Sequence, residues 1–202
     1  GATLGWWNHT TEDTLDKVDE GALADELKVN TAWVVRLAND AVLPYEPLAL
    51  IDDLGQRLKH YAGRGRLLGL QTVIQALAEL RSDTEKLQAA ADLARADSSD
   101  LRARVISRGL FWLSRSLTSA FRTTVSPWEQ DTYGTTALGE PVPLLADLHR
   151  LANETDQCVR YLLETKLLRA RNRLSESVFY ARALLRGVLE MLEGQGGDAR
   201  ED

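Results

Sequence analysis

Three histidines, one cysteine and a local concentration of carboxylates are the side chains here best suited to chemistry, and their spacing decides which chemistry is open. His9, His60 and His149 stand far apart, and none begins an H-x-x-x-H or H-E-x-x-H pair, so no helix presents two imidazoles to one metal ion. His60 and His149 read as cap or surface residues near helix ends. Cys158 is alone, which permits neither an internal disulfide nor a multi-thiolate metal site, and it reads as core filler. The chain has no G-x-x-x-x-G-K-[ST] loop, no dinucleotide glycine fingerprint and no G-x-S-x-G elbow, so phosphate cradling and serine-hydrolase chemistry lack their geometry. Asn8-His9-Thr10 and Asn153-Glu154-Thr155 satisfy the glycosylation pattern, which carries weight only in a secreted eukaryotic chain. The densest stretch is N-terminal: residues 4–19, L-G-W-W-N-H-T-T-E-D-T-L-D-K-V-D, hold two Trp, a His and four acids. Such density marks the edge of a site, and Thr11 or Asp13 can cap a short turn that fixes the approach to the following helix.

Within it, His9-Thr10-Thr11-Glu12-Asp13-Thr14-Leu15-Asp16-Lys17-Val18-Asp19 resembles the H-T-x-x-D-T-x-D-K-[VI]-D segment near the end of the catalytic domain in metallopeptidase family twenty-eight. These are di-zinc aminopeptidases, with glutamate carboxypeptidase and the transferrin receptor ectodomain among their relatives. The resemblance implies that His9 is a zinc ligand, the last in sequence, of a two-zinc site in the complete enzyme. The family's upstream elements, an H-x-D ligand motif and an adjacent Glu-Glu pair that gives the general base and a ligand, are absent from this chain. One imidazole cannot hold zinc at useful affinity, so the chain alone is expected to bind no zinc and to be inactive, with no catalytic residue of its own. The competing reading of the segment is a surface turn with a packed Trp pair.

The resemblance continues more weakly downstream. Members with a transferrin-receptor-like C-terminal region follow the catalytic domain with a leucine-proline-aromatic step, matched here by Leu43-Pro44-Tyr45, and then a helical bundle that makes a homodimer. Trp128, Tyr133-Gly134, Pro141 and Pro143 look like the family's irregular loop before the last helix. In the glutamate carboxypeptidases that loop offers a Lys-Tyr pair to the substrate. The pair here reads Thr132-Tyr133, which implies that Tyr133 lines a substrate pocket without the cation that glutamate specificity needs.

The elements that must position these residues are helical. Leu23, Leu27, Trp33, Val34 and Leu37 recur at helical spacing behind acidic Asp19 and Glu20, and Pro44 and Pro47 end that run. Pro47 opens a second helix carrying Leu48, Ile51, Leu54, Leu58 and Tyr61. A third carries Leu67, Leu70, Val73, Ile74, Leu77, Leu80, Leu87 and Leu93, with a break and an N-cap at Asp97, Ser98 and Ser99. Ile106, Leu110, Leu113, Leu117 and Phe121 make one clean face of a fourth. Residues 123–143 lose all period and read as a long structured loop with an apolar Val-Pro-Leu-Leu exit. Beyond it, Leu148, Leu151, Thr155, Cys158, Leu162, Ala170, Leu174, Ser177, Ala181, Leu185, Val188 and Leu192 trace a three-four repeat, the pattern of one long buried helix.

Composition bounds the rest. Apolar residues at 44% and charged residues at 27% suit a folded globular body, and a net charge of −6 repels phosphate backbones, so nucleic acid is not an expected partner. No apolar run approaches the roughly 18 residues of a spanning helix, and with Gly1 first and Met191 the sole methionine the chain is expected to be a piece of something longer. The expected fold is mainly α: an antiparallel four-helix bundle over 43–194, preceded at 1–42 by a remnant of an α/β zinc-peptidase catalytic domain and followed by a flexible tail at 195–202. The expected function is that of the C-terminal part of a zinc exopeptidase acting on peptides, secreted, periplasmic or cell-envelope associated. This part would serve homodimerisation, through apolar faces such as Leu110, Leu113 and Leu117, and would wall the active site. The alternative is a free-standing helical interaction module without metal or catalysis.

Overall fold

The computed structural model of the chain describes residues 5–61, 63, 68–96, 100–125, 129 and 140–197. It divides into two compact units, residues 1–40 and 41–202. The first unit holds tight turns, a 3-10 turn at Leu15–Lys17 and helix α1, Glu20–Asn39. Asp19 starts α1 because its carboxylate accepts the Ala22 N–H at 2.8 Å, which satisfies one of the orphan donors of the first turn. No residue from 5 to 40 is buried. The expected stripe of Leu23, Leu27, Trp33, Val34 and Leu37 is present, yet each of these side chains stays between 43% and 64% exposed.

The second unit contains α2 (Pro47–Lys59), α3 (Leu70–Ala96), α4 (Asp100–Phe121), the short α5 (Leu148–Asn153) and α6 (Gln157–Gly197). Among the described residues there is no strand, and the chain is mainly helical. Pro47 sits at the first turn of α2, where its missing N–H costs nothing. Gly69, with φ +65°, makes the sharp entry into α3 that a side-chain-bearing residue would resist. Helix directions follow from side-chain pairs. Asp52 meets Arg81 at 2.7 Å and Gly55 faces Leu77, so α2 and α3 run antiparallel. Gly109 lies against Val188 and Arg173 donates to the Ser119 carbonyl at 3.0 Å, so α4 and α6 also run antiparallel. Gly69 lies beside Arg171 and Arg182 bonds Asp83, so α3 and α6 run parallel. All four long helices of this unit contribute to a single apolar core.

Ile106, Leu110, Leu113, Leu117 and Phe121 are all buried, in that core. This corrects the expectation that Leu110, Leu113 and Leu117 face a second protomer: α6 and the other helices of the same chain cover them. Leu93 is 67% exposed, and Ala90, Ala91 and Ala94 take its place inside. The long C-terminal repeat is not one helix. Glu154–Asp156 interrupts it, and the Asp156 carboxylate caps α6 by accepting N–H bonds from Cys158 and Val159 at 2.8 and 3.0 Å. The buried register then runs through Leu163 and Leu167 to Leu174, so Leu162 faces outward and Cys158 is exposed rather than core filler.

Val142, Leu145, Leu148 and Leu151 are buried, which gives the apolar exit of the 123–143 segment its place in the core. Trp128, Tyr133-Gly134, the proposed break at Asp97, Ser98 and Ser99, and the tail beyond 197 lie outside the described residues. No described helix is long and apolar enough to cross a membrane.

Candidate functional site

The N-terminal motif folds as a chain of tight turns. Asn8 N–H donates to the Gly5 carbonyl at 3.0 Å and Thr10 N–H to the Trp7 carbonyl at 2.9 Å, which brings His9 to the turn apex with φ +62°. A left-handed conformation is uncommon for a residue with a side chain, though His tolerates it better than most. Thr10 does the capping expected of Thr11 or Asp13. Its hydroxyl donates to the Trp7 carbonyl at 2.6 Å and accepts the Glu12 N–H at 3.2 Å. The Trp6 and Trp7 rings meet edge to face at 6.1 Å, with Trp6 71% exposed. Asp16 is flanked by the Lys17 ammonium and the Thr14 hydroxyl, in that order of weight, and its carboxyl is held below the usual range.

His9 is exposed at this apex, and no group of three or more His, Cys, Asp or Glu residues that could hold a metal ion occurs among the described residues. A zinc site draws three or four donors onto one point. The donors present here do not compose such a site around His9, so no catalytic step is derived through zinc in this chain.

The second unit carries a polar constellation that periodicity alone did not reveal. At the C-terminal end of α2, the Tyr61 hydroxyl donates to Glu140 at 2.9 Å and accepts the Val142 N–H at 3.3 Å. Burial, chiefly, pushes the Tyr61 phenol up to about 12. Arg57 donates to the Pro141 carbonyl at 3.0 Å and to Asp53 at 2.8 Å, and Arg122 donates to the same carboxylate at 2.6 Å. Beside this network, Asp53, Gln56, Arg57, His60, Glu140 and Pro141 border an open cleft of about 400 Å³. At the other end of the same segment, Arg173 of α6 donates to the Ser119 carbonyl and the Val125 carbonyl. Arg173 therefore ties the segment's start to α4 and α6, while Tyr61 and Arg57 tie its return to α2. Tyr133, the residue proposed to line a substrate pocket, belongs to the stretch between these two clamps and lies outside the described residues.

A third feature is apolar. On the outer side of the α4–α6 contact, Val105, Gly109, Trp112, Tyr180, Gly187 and Met191 border a groove of about 580 Å³. Gly109 permits this close approach, since a Cβ there would stand 3.1 and 3.2 Å from the two Val188 methyls. Of the residues that border it, Tyr180 and Met191 are 54% and 53% exposed and Trp112 is 37% exposed. The signal for this face was in the sequence: Leu101, Val105, Arg108, Trp112 and Arg115 form a second helical stripe on α4 beside the core stripe. Comparison of the chain with protein-family models, curated proteins and solved structures returned no match.

Proposed function

We propose that this chain is the C-terminal part of a zinc-dependent exopeptidase, of aminopeptidase or carboxypeptidase type. Residues 1–42 belong to its α/β catalytic domain, and residues 43–194 form an antiparallel four-helix bundle that makes a homodimer and helps wall the active site. The observation that carries this reading is the first unit: a capped 20-residue helix and an ordered turn motif with no buried residue and with Trp6, Leu23, Leu27, Trp33 and Val34 exposed. Such a segment lacks the covered apolar face that stabilises helices in folded proteins, as a part taken from a larger domain would. The turn geometry adds support, because Thr10 and the Gly5–Trp7 turn bring the imidazole of His9 to an exposed apex.

In the complete enzyme His9 would be one of the residues that hold zinc, through one ring nitrogen, and the chemistry the metal would supply there is Lewis-acid activation of water. The remaining ligands and the general base would come from upstream sequence. A second reading, a free-standing helical interaction module, draws on the exposed α4–α6 groove. Light scattering of the purified chain with and without zinc separates the two. The proposal expects a zinc-independent dimer near twice 22.4 kDa. A monomer contradicts the homodimer and favours the interaction module, and zinc-driven assembly contradicts the assignment of His9 as an incomplete ligand.

A further inference from the structure

Two long helices of this chain each bear two stripes. The inner stripes meet in the core, and the outer stripes lie side by side on one exposed face. On α4 the outer stripe runs Leu101, Val105, Arg108, Trp112, Arg115, spaced by four, three, four and three. On α6 it runs Glu176, Tyr180, Ala183, Gly187, Glu190, spaced by four, three, four and three. Both are continuous ridges of a single helix face.

The charges on these ridges have opposite sign. Arg108 and Arg115 mark the α4 ridge, Glu176 and Glu190 mark the α6 ridge, and all four are exposed. None of the four forms an ion pair among the described residues, although the same unit pairs Arg57, Arg81, Arg95, Arg122, Arg160, Arg182 and Arg186 with carboxylates. Their heights along the bundle also correspond. Gly109 stands level with Val188, and Ser119 with Arg173, so Arg108 is within about one turn of the height of Glu190, and Arg115 of that of Glu176.

We propose that a second copy of this chain covers this face, with α4 of each protomer lying on α6 of its partner about a two-fold axis parallel to the helices. That operation sets every position opposite the other ridge at the same height. It brings Arg108 to Glu190 of the partner subunit and Arg115 to Glu176 of the partner subunit, each pair occurring twice. Trp112, Tyr180 and Met191 of both copies then fill the joint groove over the Gly109 and Gly187 backbone. Rotation about an axis across the helices would instead lay α4 on α4 and oppose like charges, which the arginines disfavour. The inference rests on the homodimer reading and adds the face, the symmetry and the register.

Sedimentation equilibrium of the 202-residue chain tests it, using Arg108→Glu, Glu190→Arg and the double variant. Both side chains are exposed, so folding is expected to be unchanged, and thermal melts of each variant check this. Each single reversal should weaken dimerisation by about tenfold or more, because two attractive contacts become repulsive. The double variant should recover to within about threefold of the original chain. A dimer insensitive to either reversal overturns the proposed face and leaves the homodimer reading standing. Weakening without recovery in the double variant overturns the two-fold register. A monomeric original chain overturns both the homodimer reading and this face, and assigns the groove to a different occupant.

Discussion

Leu113 and Leu93 are both leucines on apolar-looking helix stripes, and the structure predicts opposite fates for the same substitution in each. Leu113 is 2% exposed in the core beneath α6, whereas Leu93 is 67% exposed near the end of α3. Truncating a fully buried leucine to alanine costs about 2–5 kcal/mol. Aspartate at position 113 adds the desolvation of a carboxylate with no cation built to receive it, which brings the total to about 5 kcal/mol or more. A domain of this size loses about 2–4 °C per kcal/mol, so Leu113→Asp should lower the melting temperature by about 10–20 °C or prevent folding outright. Leu113→Ala, which removes the side chain without burying a charge, should lower it by about 4–20 °C on the same scale. Leu93→Asp should stay within about 0.5 kcal/mol of the original chain. Thermal unfolding followed by far-ultraviolet circular dichroism reads all three. Equal melting temperatures for Leu113→Asp and Leu93→Asp, in either direction, would refute the assignment of the α4 stripe to the intramolecular core. So would a Leu113→Asp chain that changes mass but not stability.

The Tyr61 clamp yields the remaining predictions. Tyr61→Phe deletes the bond to Glu140 and leaves the buried Val142 N–H without its acceptor, so it should cost about 1–3 kcal/mol in the same melting assay; no loss would mean that the segment returns to α2 without this contact. Tyr61 holds its proton up to about pH 12 in the folded chain against about 10 when unfolded, so folding binds the proton more tightly. The stabilisation is whole below about pH 10 and is lost as pH rises through about 12. Ultraviolet titration of the folded chain should show one tyrosine ionising late, and that late phase should vanish in Tyr61→Phe.

Much of the helical framework was legible because its signal is strong where large side chains alternate with polar ones. The four, three, four, four spacing from Ile106 to Phe121 leaves one interpretation, and all five residues are buried. Pro47 and Asp19 announced helix starts for reasons of backbone chemistry that need no tertiary context. What periodicity could not supply was which protein surface covers a stripe. It identified Leu110, Leu113 and Leu117 correctly as one face, yet the covering helix is α6 of the same chain.

Near Cys158 two separate stripes share one apparent period across a break in the helix. Glu154–Asp156 carries the cap signal of a new helix, and restarting there moves the buried register from Leu162 to Leu163. Leu93 fits the apolar spacing but lies outside the core, because the small side chains of Ala90, Ala91 and Ala94 are the ones that let α3 close on its neighbours. The polar clamps on residues 122–142 were illegible for a different reason. Tyr61 and Glu140 are 79 positions apart, and no local pattern links them. The capping residue differs from both expected ones, since Thr10, rather than Thr11 or Asp13, closes the turn behind His9.

The first unit is folded as a helix but has no buried core of its own, whereas the second has a complete one. Hydrogen exchange of the intact chain, followed residue by residue, measures this directly. Amides of Glu20–Asn39 should exchange at least about a hundredfold faster than those of Ile106–Leu117 and Leu174–Leu185, since an uncovered helix of this length is marginally stable in water. Protection of α1 equal to that of α4 would show that its apolar residues are covered within this chain, and would contradict the assignment of residues 1–42 to a domain completed elsewhere.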